Sequence, residues 1–181
     1  PDNYLQDITA MAQGTVDGKT YFFTDDGTGA GMSSYWMGRF GNIKERDNLG
    51  AADGFAINAP SALDTALVDG NLFVLAGGAG STTLSALKVN TFGGLFETDT
   101  QIDSLDTRFG GISAIETVTV NDRAFVLAGG ADDGLSLFEL GGNIALFVRQ
   151  GLFANVVVGG LTALGSRDTD VIAKGYGKSH L

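Results

Sequence analysis

The sequence predicts an all-β fold of β-propeller blades, each a sheet of four antiparallel strands, with about 3.5 repeats of 52 residues in the chain. A fixed internal period predicts it first. "VDGKTYFF" begins at Val16, "VDGNLFVL" at Val68 and "VNDRAFVL" at Val120, each 52 residues after the last. A second set keeps the same step: "ITAM" at Ile8, "PSAL" at Pro60 and "ISAI" at Ile112, with a fourth copy, "LTAL", at Leu161. The third observation is composition. Glycine supplies 28 of 181 residues and proline only 2, without a collagen period, so the glycines read as turns between many short elements.

Each unit divides into four segments. The "ITAM/PSAL/ISAI" segment carries a small hydroxyl residue and an alanine, which suit the crowded innermost strand of a blade. Asp-Gly or Asn-Asp then turns the chain into a second strand, because these residues tolerate positive φ. A Gly/Asp-rich stretch follows ("TDDGTGAG", "AGGAGSTT", "AGGADDG"), then a third strand ("SSYWMGRF", "LSALKVN", "LSLFEL"). Further turns lead to "IKERD", "LFETD" and "IALFVRQ" as fourth strands. "AFVLAGG" is apolar throughout, as a strand buried on both faces would be. "FANVVVGGLTALG" is the nearest rival for a helix, but its β-branched run and paired glycines favour strand. The chain is expected to be one domain over residues 1–181, with blades at about 5–56, 57–108 and 109–160 and a partial blade at 161–181.

An open arc of blades leaves apolar faces exposed at both ends. The ring is therefore expected to be incomplete, or completed by another copy of the chain or by further blades of a larger parent protein; a sparse fourth blade is the remaining option. The sequence begins at Pro1 without a leader and ends in "KGYGKSHL" with no evident stop, so a processed chain or part of a longer one is expected. No apolar run approaches the length of a membrane span. The net charge of −10 disfavours nucleic acid and anionic membranes as partners, and suits an exported protein or one that meets cations. With no cysteine, disulfide frameworks and thiol chemistry are excluded.

"FVLAGGADDGLSLFEL", residues 125–140, carries a resemblance. It resembles the propeller-like repeat region of exported bacterial proteins of the hemolysin-type calcium-binding (RTX-associated) group. The likeness is strongest over 120–147, fair over 60–95 and weaker over 8–45, where "FFTDDGTGAGMSSYWMGRF" replaces the core pattern. It implies a propeller fold, export and an extracellular or cell-surface location. A more distant likeness runs through "VDGNLFVLAGG" to lactonase-like and quinoprotein-like propellers, at the level of the fold.

Candidate sites follow from charge and aromaticity. "GGAGSTTLS" has the glycines of a calcium-binding nonapeptide, but Thr82 stands where the ligating Asp is required and the copies recur every 52 residues rather than every 9, so no β-roll can form. Looser calcium sites would use Asp25 and Asp26, or Asp132 and Asp133, in turns beside glycines. Their plainer and preferred reading is an Asx-type turn with solvated carboxylates. No nucleotide-binding motif is present: "GGAGST" lacks the lysine and the following helix.

The sole histidine, His180, lies at the end of the chain, which removes most serine–histidine and histidine–metal schemes. Carboxylate chemistry stays open. Asp7, Asp64, Glu116, Asp168 and Asp170 lie near inner-strand segments. Asp64 and Glu116 follow "PSAL" and "ISAI" at the same step, where the first copy has Ala12 and the fourth Gly165. On adjacent inner strands the two could hold a cation across the channel, or simply line it in contact with water. Tyr35 and Trp36, with Phe40 nearby, could stack a sugar ring; packing inside or between blades is the plainer role. The preferred functional reading is a non-catalytic propeller module of an exported bacterial protein, structural or ligand-binding in adhesion. The alternative is a lactonase-like or other hydrolytic propeller with a metal on channel carboxylates.

Overall fold

A computed structural model describes residues 4–55, 57–132, 134–141, 146–153, 157–158 and 161–162. Asp133, Asp168, Asp170 and His180 lie outside the described residues, as does the second half of "LTAL". Three four-stranded antiparallel sheets follow one another along the chain. The first is β1 (Ile8–Val16), β2 (Lys19–Asp26), β3 (Gly31–Met37) and β4 (Ile43–Gly50). The second is β5 (Pro60–Val68), β6 (Asn71–Gly78), β7 (Thr83–Val89) and β8 (Leu95–Ile102). The third is β9 (Ile112–Val120), β10 (Arg123–Gly130), β11 (Gly134–Leu140) and β12 (Leu146–Phe153). Two short strands, β13 (Val157–Val158) and β14 (Leu161–Thr162), pair with each other. The fold is all-β, as expected, and no helix of the described residues is long and apolar enough to cross a membrane.

The local reasons repeat from sheet to sheet. Asp17–Gly18, Asp69–Gly70 and Asn121–Asp122 all have positive φ, between 50° and 73°. That is the two-residue hairpin whose twist matches the flanking strands. The turn between the third and fourth strands is built the same way twice: Gly38 N donates to Asn42 O, and Asn90 N donates to Gly94 O. A bulge interrupts the pairing of third and fourth strands at the same place in every sheet, after Ser34, Ala86 and Leu137. Such bulges add twist and bend the outer strand.

The sheets stack face to face through two cores. Tyr21, Phe23 and Met32 of the first sheet meet Leu72, Val74, Leu87 and Val89 of the second. Phe73, Leu75 and Leu84 on the other face of the second sheet meet Ala124, Val126, Phe138 and Leu140 of the third. Loop residues Phe55 and Ile57 close the first seam, and Phe109 closes the second with its ring edge-on to Phe138, 5.5 Å between centroids. β6 is therefore buried on both faces. β10, which carries the same "FVLAGG", is not: its burial alternates, with Val126 inside and Phe125 and Leu127 half-exposed. The expectation of two-sided burial for "AFVLAGG", residues 124–130, is not met, because among the described residues the third sheet has a neighbour on one side; the equivalent "LFVLAGG" of β6 is the copy buried on both.

Candidate functional site

The seams between sheets are closest at β1, β5 and β9, the strands with the small hydroxyl residues. Those hydroxyls tie one sheet to the next. Thr9 Oγ1 lies 2.7 Å from Pro60 O, and Ser61 Oγ donates to Ile112 O, at equivalent positions one repeat apart. Running the other way, Thr65 Oγ1 donates to Gln13 O at 2.6 Å and Thr117 Oγ1 to Thr65 O at 2.8 Å. Ser and Thr stand here because a longer side chain would hold the strands apart, and because a buried carbonyl at a seam needs a donor.

Asp64 belongs to this seam. Its Oδ1 accepts from Thr65 N at 2.7 Å and its Oδ2 from Thr117 N at 2.6 Å, so the carboxylate bridges β5 and β9. Glu116 sits at the equivalent position of β9 and is exposed. The structure thus puts the two carboxylates on adjacent strands, as the repeat predicts, with Asp64 directed at backbone N–H groups. Among the described residues, no three Asp, Glu, His or Cys side chains gather as a metal centre.

Asp25 and Asp26 are the last residues of β2, and both are buried. Asp25 Oδ1 accepts from Ala10 N at 2.6 Å, Thr9 Oγ1 at 2.7 Å and Thr9 N at 3.2 Å, while its Oδ2 is buried with no partner among the described residues. Burial pushes its carboxyl above the usual range, against the opposing pull of the Thr9 and Ala10 bonds. Asp26 Oδ1 accepts from Gly29 N at 2.7 Å and Thr28 N at 3.0 Å, an Asx turn, and its Oδ2 from Gln6 N at 2.9 Å. Burial alone would raise its pKa, but the bonds from Gln6, Gly29 and Thr28 together hold it below the usual range. The Asx turn was expected; solvated carboxylates there were not what formed.

Asp132 is not the structural counterpart of that pair. It lies beyond the end of β10, half-buried, in an ion pair with Arg108 at 3.3 Å. Tyr35 and Trp36 alternate across β3. Trp36 packs on the seam with the second sheet, its ring under the Arg46 guanidinium at 5.1 Å. Neighbours on opposite faces share no stacking surface. Trp36 and Phe40 instead line one open groove of about 580 Å³ at the turn end of the first sheet, with Lys19, Arg39 and Asn42. Arg39 lies 4.4 Å over the Phe40 ring.

Two further carboxylates carry the architecture and escaped the sequence reading. Asp47 Oδ2 accepts from Leu95 N at 2.8 Å, and Asp99 Oδ2 from Leu146 N at 2.7 Å. Each takes the first N–H of the next sheet's outer strand. The available signal was their own spacing, 52 residues, in "IKERD" and "LFETD".

No family model and no curated protein matches the chain. Solved structures do resemble it. An exo-β-1,3-galactanase from Phanerochaete chrysosporium, with bound β-1,3-galactotriose, matches with a TM-score of 0.53 and 8% identity over 75% of this chain and 33% of that one. The GH43_1 enzyme from Xanthomonas citri, complexed with xylose, matches with a TM-score of 0.52 and 14% identity over 80% of this chain and 54% of that one. The chain spans between a third and about half of these structures. At such identity the likeness concerns the fold, which is propeller-like.

Proposed function

We propose that the chain is a non-catalytic propeller module of an exported bacterial protein, three full blades of a ring, with a structural and ligand-binding role. The observation that carries this reading is the use made of its buried and seam carboxylates: Asp25, Asp26, Asp47, Asp64 and Asp99 each accept backbone N–H groups, which makes them joints of the fold. The resemblance to the repeat region of hemolysin-type calcium-binding proteins supports export and an extracellular place. The groove beside Trp36 and Phe40 is the ligand site of this reading, since it combines exposed aromatic surface with donors from Lys19, Arg39 and Asn42. This reading assigns no calcium to the described carboxylates, since Asp25, Asp26 and Asp64 accept backbone N–H groups and Asp132 is paired with Arg108. The test is direct: titrate the chain with xylo- and galacto-oligosaccharides and follow Trp36 fluorescence, assay the same mixtures for reducing ends, and melt the chain with and without calcium. Binding without cleavage supports the module; turnover of any of these sugars overturns it.

The second reading is a hydrolytic propeller. It draws support from the GH43 neighbours and from Asp64 and Glu116 on adjacent strands, since glycoside hydrolysis uses two carboxyl groups facing one bond. It requires turnover that Glu116→Gln abolishes without a change in melting temperature.

A further inference from the structure

The first and third sheets each leave one face without a neighbouring sheet among the described residues, and the two faces match. On the third sheet it is the face equivalent to the one the second sheet presents to the third. Phe125, Leu127, Leu135 and Leu137 stand there half-exposed, at the places of the buried Phe73, Leu75, Leu84 and Ala86. On the first sheet it is the face equivalent to the ones that the second and third sheets bury. Leu5, Ile8, Met11 and Ile43 occupy the positions of Ile57, Pro60, Leu63 and Leu95 in the second sheet, and of Phe109, Ile112, Ile115 and Leu146 in the third.

The exposure difference is large. Ile112 and Ile115 are 0% and 9% exposed, whereas Ile8 and Met11 are 46% and 70% exposed. Ile112 and Ile115 rest on Gly77, where any side chain would strike them. Among the described residues, the equivalent Gly129 has no side chain of another sheet against it; its nearest described neighbours are Leu135 and the Gly134 carbonyl, 3.6 Å and 3.7 Å from where a Cβ would stand. Among the described residues, a knob without a hole sits at one end of the stack, and a hole without a knob at the other.

The polar positions match as well. Ser113, exposed on β9, stands where Thr9 and Ser61 each reach a carbonyl of the next sheet's inner strand. Glu116 stands where Asp64 accepts the Thr117 N–H. Gln13 stands where Thr65 and Thr117 donate to the sheet before them, and its amide can do the same.

We infer that the chain pairs head to tail with a second copy of itself, the third sheet of each copy taking the first sheet of the other. Ile8 and Met11 of one copy would seat on Gly129 of its partner, Ser113 would donate to the Ile8 carbonyl, and the Gln13 amide would donate to the Thr117 carbonyl. Two copies related by a two-fold axis bury both faces of both chains and leave no open end, whereas an unclosed head-to-tail contact would grow into a fibre. The inference rests on the propeller reading for its stacking geometry and is independent of whether the module binds or cleaves sugar.

Light scattering or native mass spectrometry of the full chain across the micromolar range tests it. The expected species has twice the 18.7 kDa mass of the chain. Met11→Arg and Leu127→Arg should each give a monomer with an unchanged far-ultraviolet spectrum. Mixing those two variants should restore pairing in part, because a mixed pair keeps one seam with native Met11 and native Leu127. A contact of third sheet on third sheet would ignore Met11→Arg. A monomeric wild-type chain, as expected if its own later residues cover the face, overturns the inference, and so does a dimer that survives both substitutions.

Discussion

Asp64 on β5 holds the backbone nitrogen of Thr117 on β9 at 2.6 Å, and with its other oxygen the nitrogen of Thr65 at 2.7 Å. One carboxylate thus satisfies a donor on each side of a seam between sheets, which is why the side chain is short, charged and half-buried. Asp64→Ala leaves the Thr117 N–H without its acceptor. The expected cost is about 1–3 kcal/mol, the usual penalty for orphaning a partly buried donor next to a charge. Chemical denaturation of the dissociated chain should show this loss for Asp64→Ala and almost none for Glu116→Ala, whose side chain is exposed there. Equal losses at the two sites would refute the bridging role.

Asp25 gives the chain an unusual pH term. Burial raises its carboxyl pKa in the folded state. Between the ordinary carboxylate range and that raised value, the folded chain holds a proton that the unfolded chain has released. Stability from this group is therefore complete below the ordinary range and falls as pH rises through the raised value. Asp26 acts in the opposite sense, since its pKa is lowered and its contribution is lost as pH falls. Asp25→Asn keeps an acceptor for Thr9 and Ala10 and removes the charge. Its stability should vary less with pH than that of the wild type over the mildly acidic range, and its advantage should grow toward neutrality. Parallel wild-type and variant profiles would show that Asp25 does not titrate there.

Much of this fold is legible in the order of residues, and the reason is repetition. Strand starts at Ile8, Pro60 and Ile112, and turns at Asp17, Asp69 and Asn121, follow from one period applied three times. The site is less legible, because its chemistry depends on direction. The spacing places Asp64 and Glu116 at equivalent positions but does not say that Asp64 turns toward a backbone N–H. "TDDG" and "ADDG" look alike as letters, yet Asp25 and Asp26 end a strand while Asp132 lies past one. The separation of Tyr35 from Trp36 was available from strand alternation alone. What no local pattern can carry is neighbourhood: "FVLAGG" is buried twice over in β6 and once in β10, with identical residues.

The glycine of that stretch makes the point testable. Gly77 lies under Ile112 and Ile115, so Gly77→Ala forces a core shift, with an expected cost of about 1–3 kcal/mol from overpacking. Among the described residues, Gly129→Ala meets only Leu135 and a carbonyl of its own sheet, at ordinary contact distance. It should leave the denaturation midpoint of the dissociated chain within experimental error while weakening the pairing of two copies. Loss of stability at Gly129 equal to that at Gly77 would mean that both glycines are needed for their backbone alone.

The groove at the end of the first sheet makes the last prediction. Phe40 is 82% exposed at the tip of the β3–β4 turn, and Phe92 occupies the equivalent tip of the second sheet at 78%. Such apolar exposure at a turn contributes nothing to folding, so Phe40→Ala should not change stability by more than about 0.5 kcal/mol. Trp36→Ala removes a ring packed on the seam core and should destabilise clearly, by up to about 3 kcal/mol for a partly buried aromatic. If the groove takes a ligand through its aromatic surface, Phe40→Ala should weaken oligosaccharide binding several-fold with an unaltered melting curve. Phe92→Ala serves as the control, since it removes an equally exposed ring that does not line the groove. Equal effects of the two substitutions on binding would assign the affinity to nonspecific aromatic contact rather than to the groove.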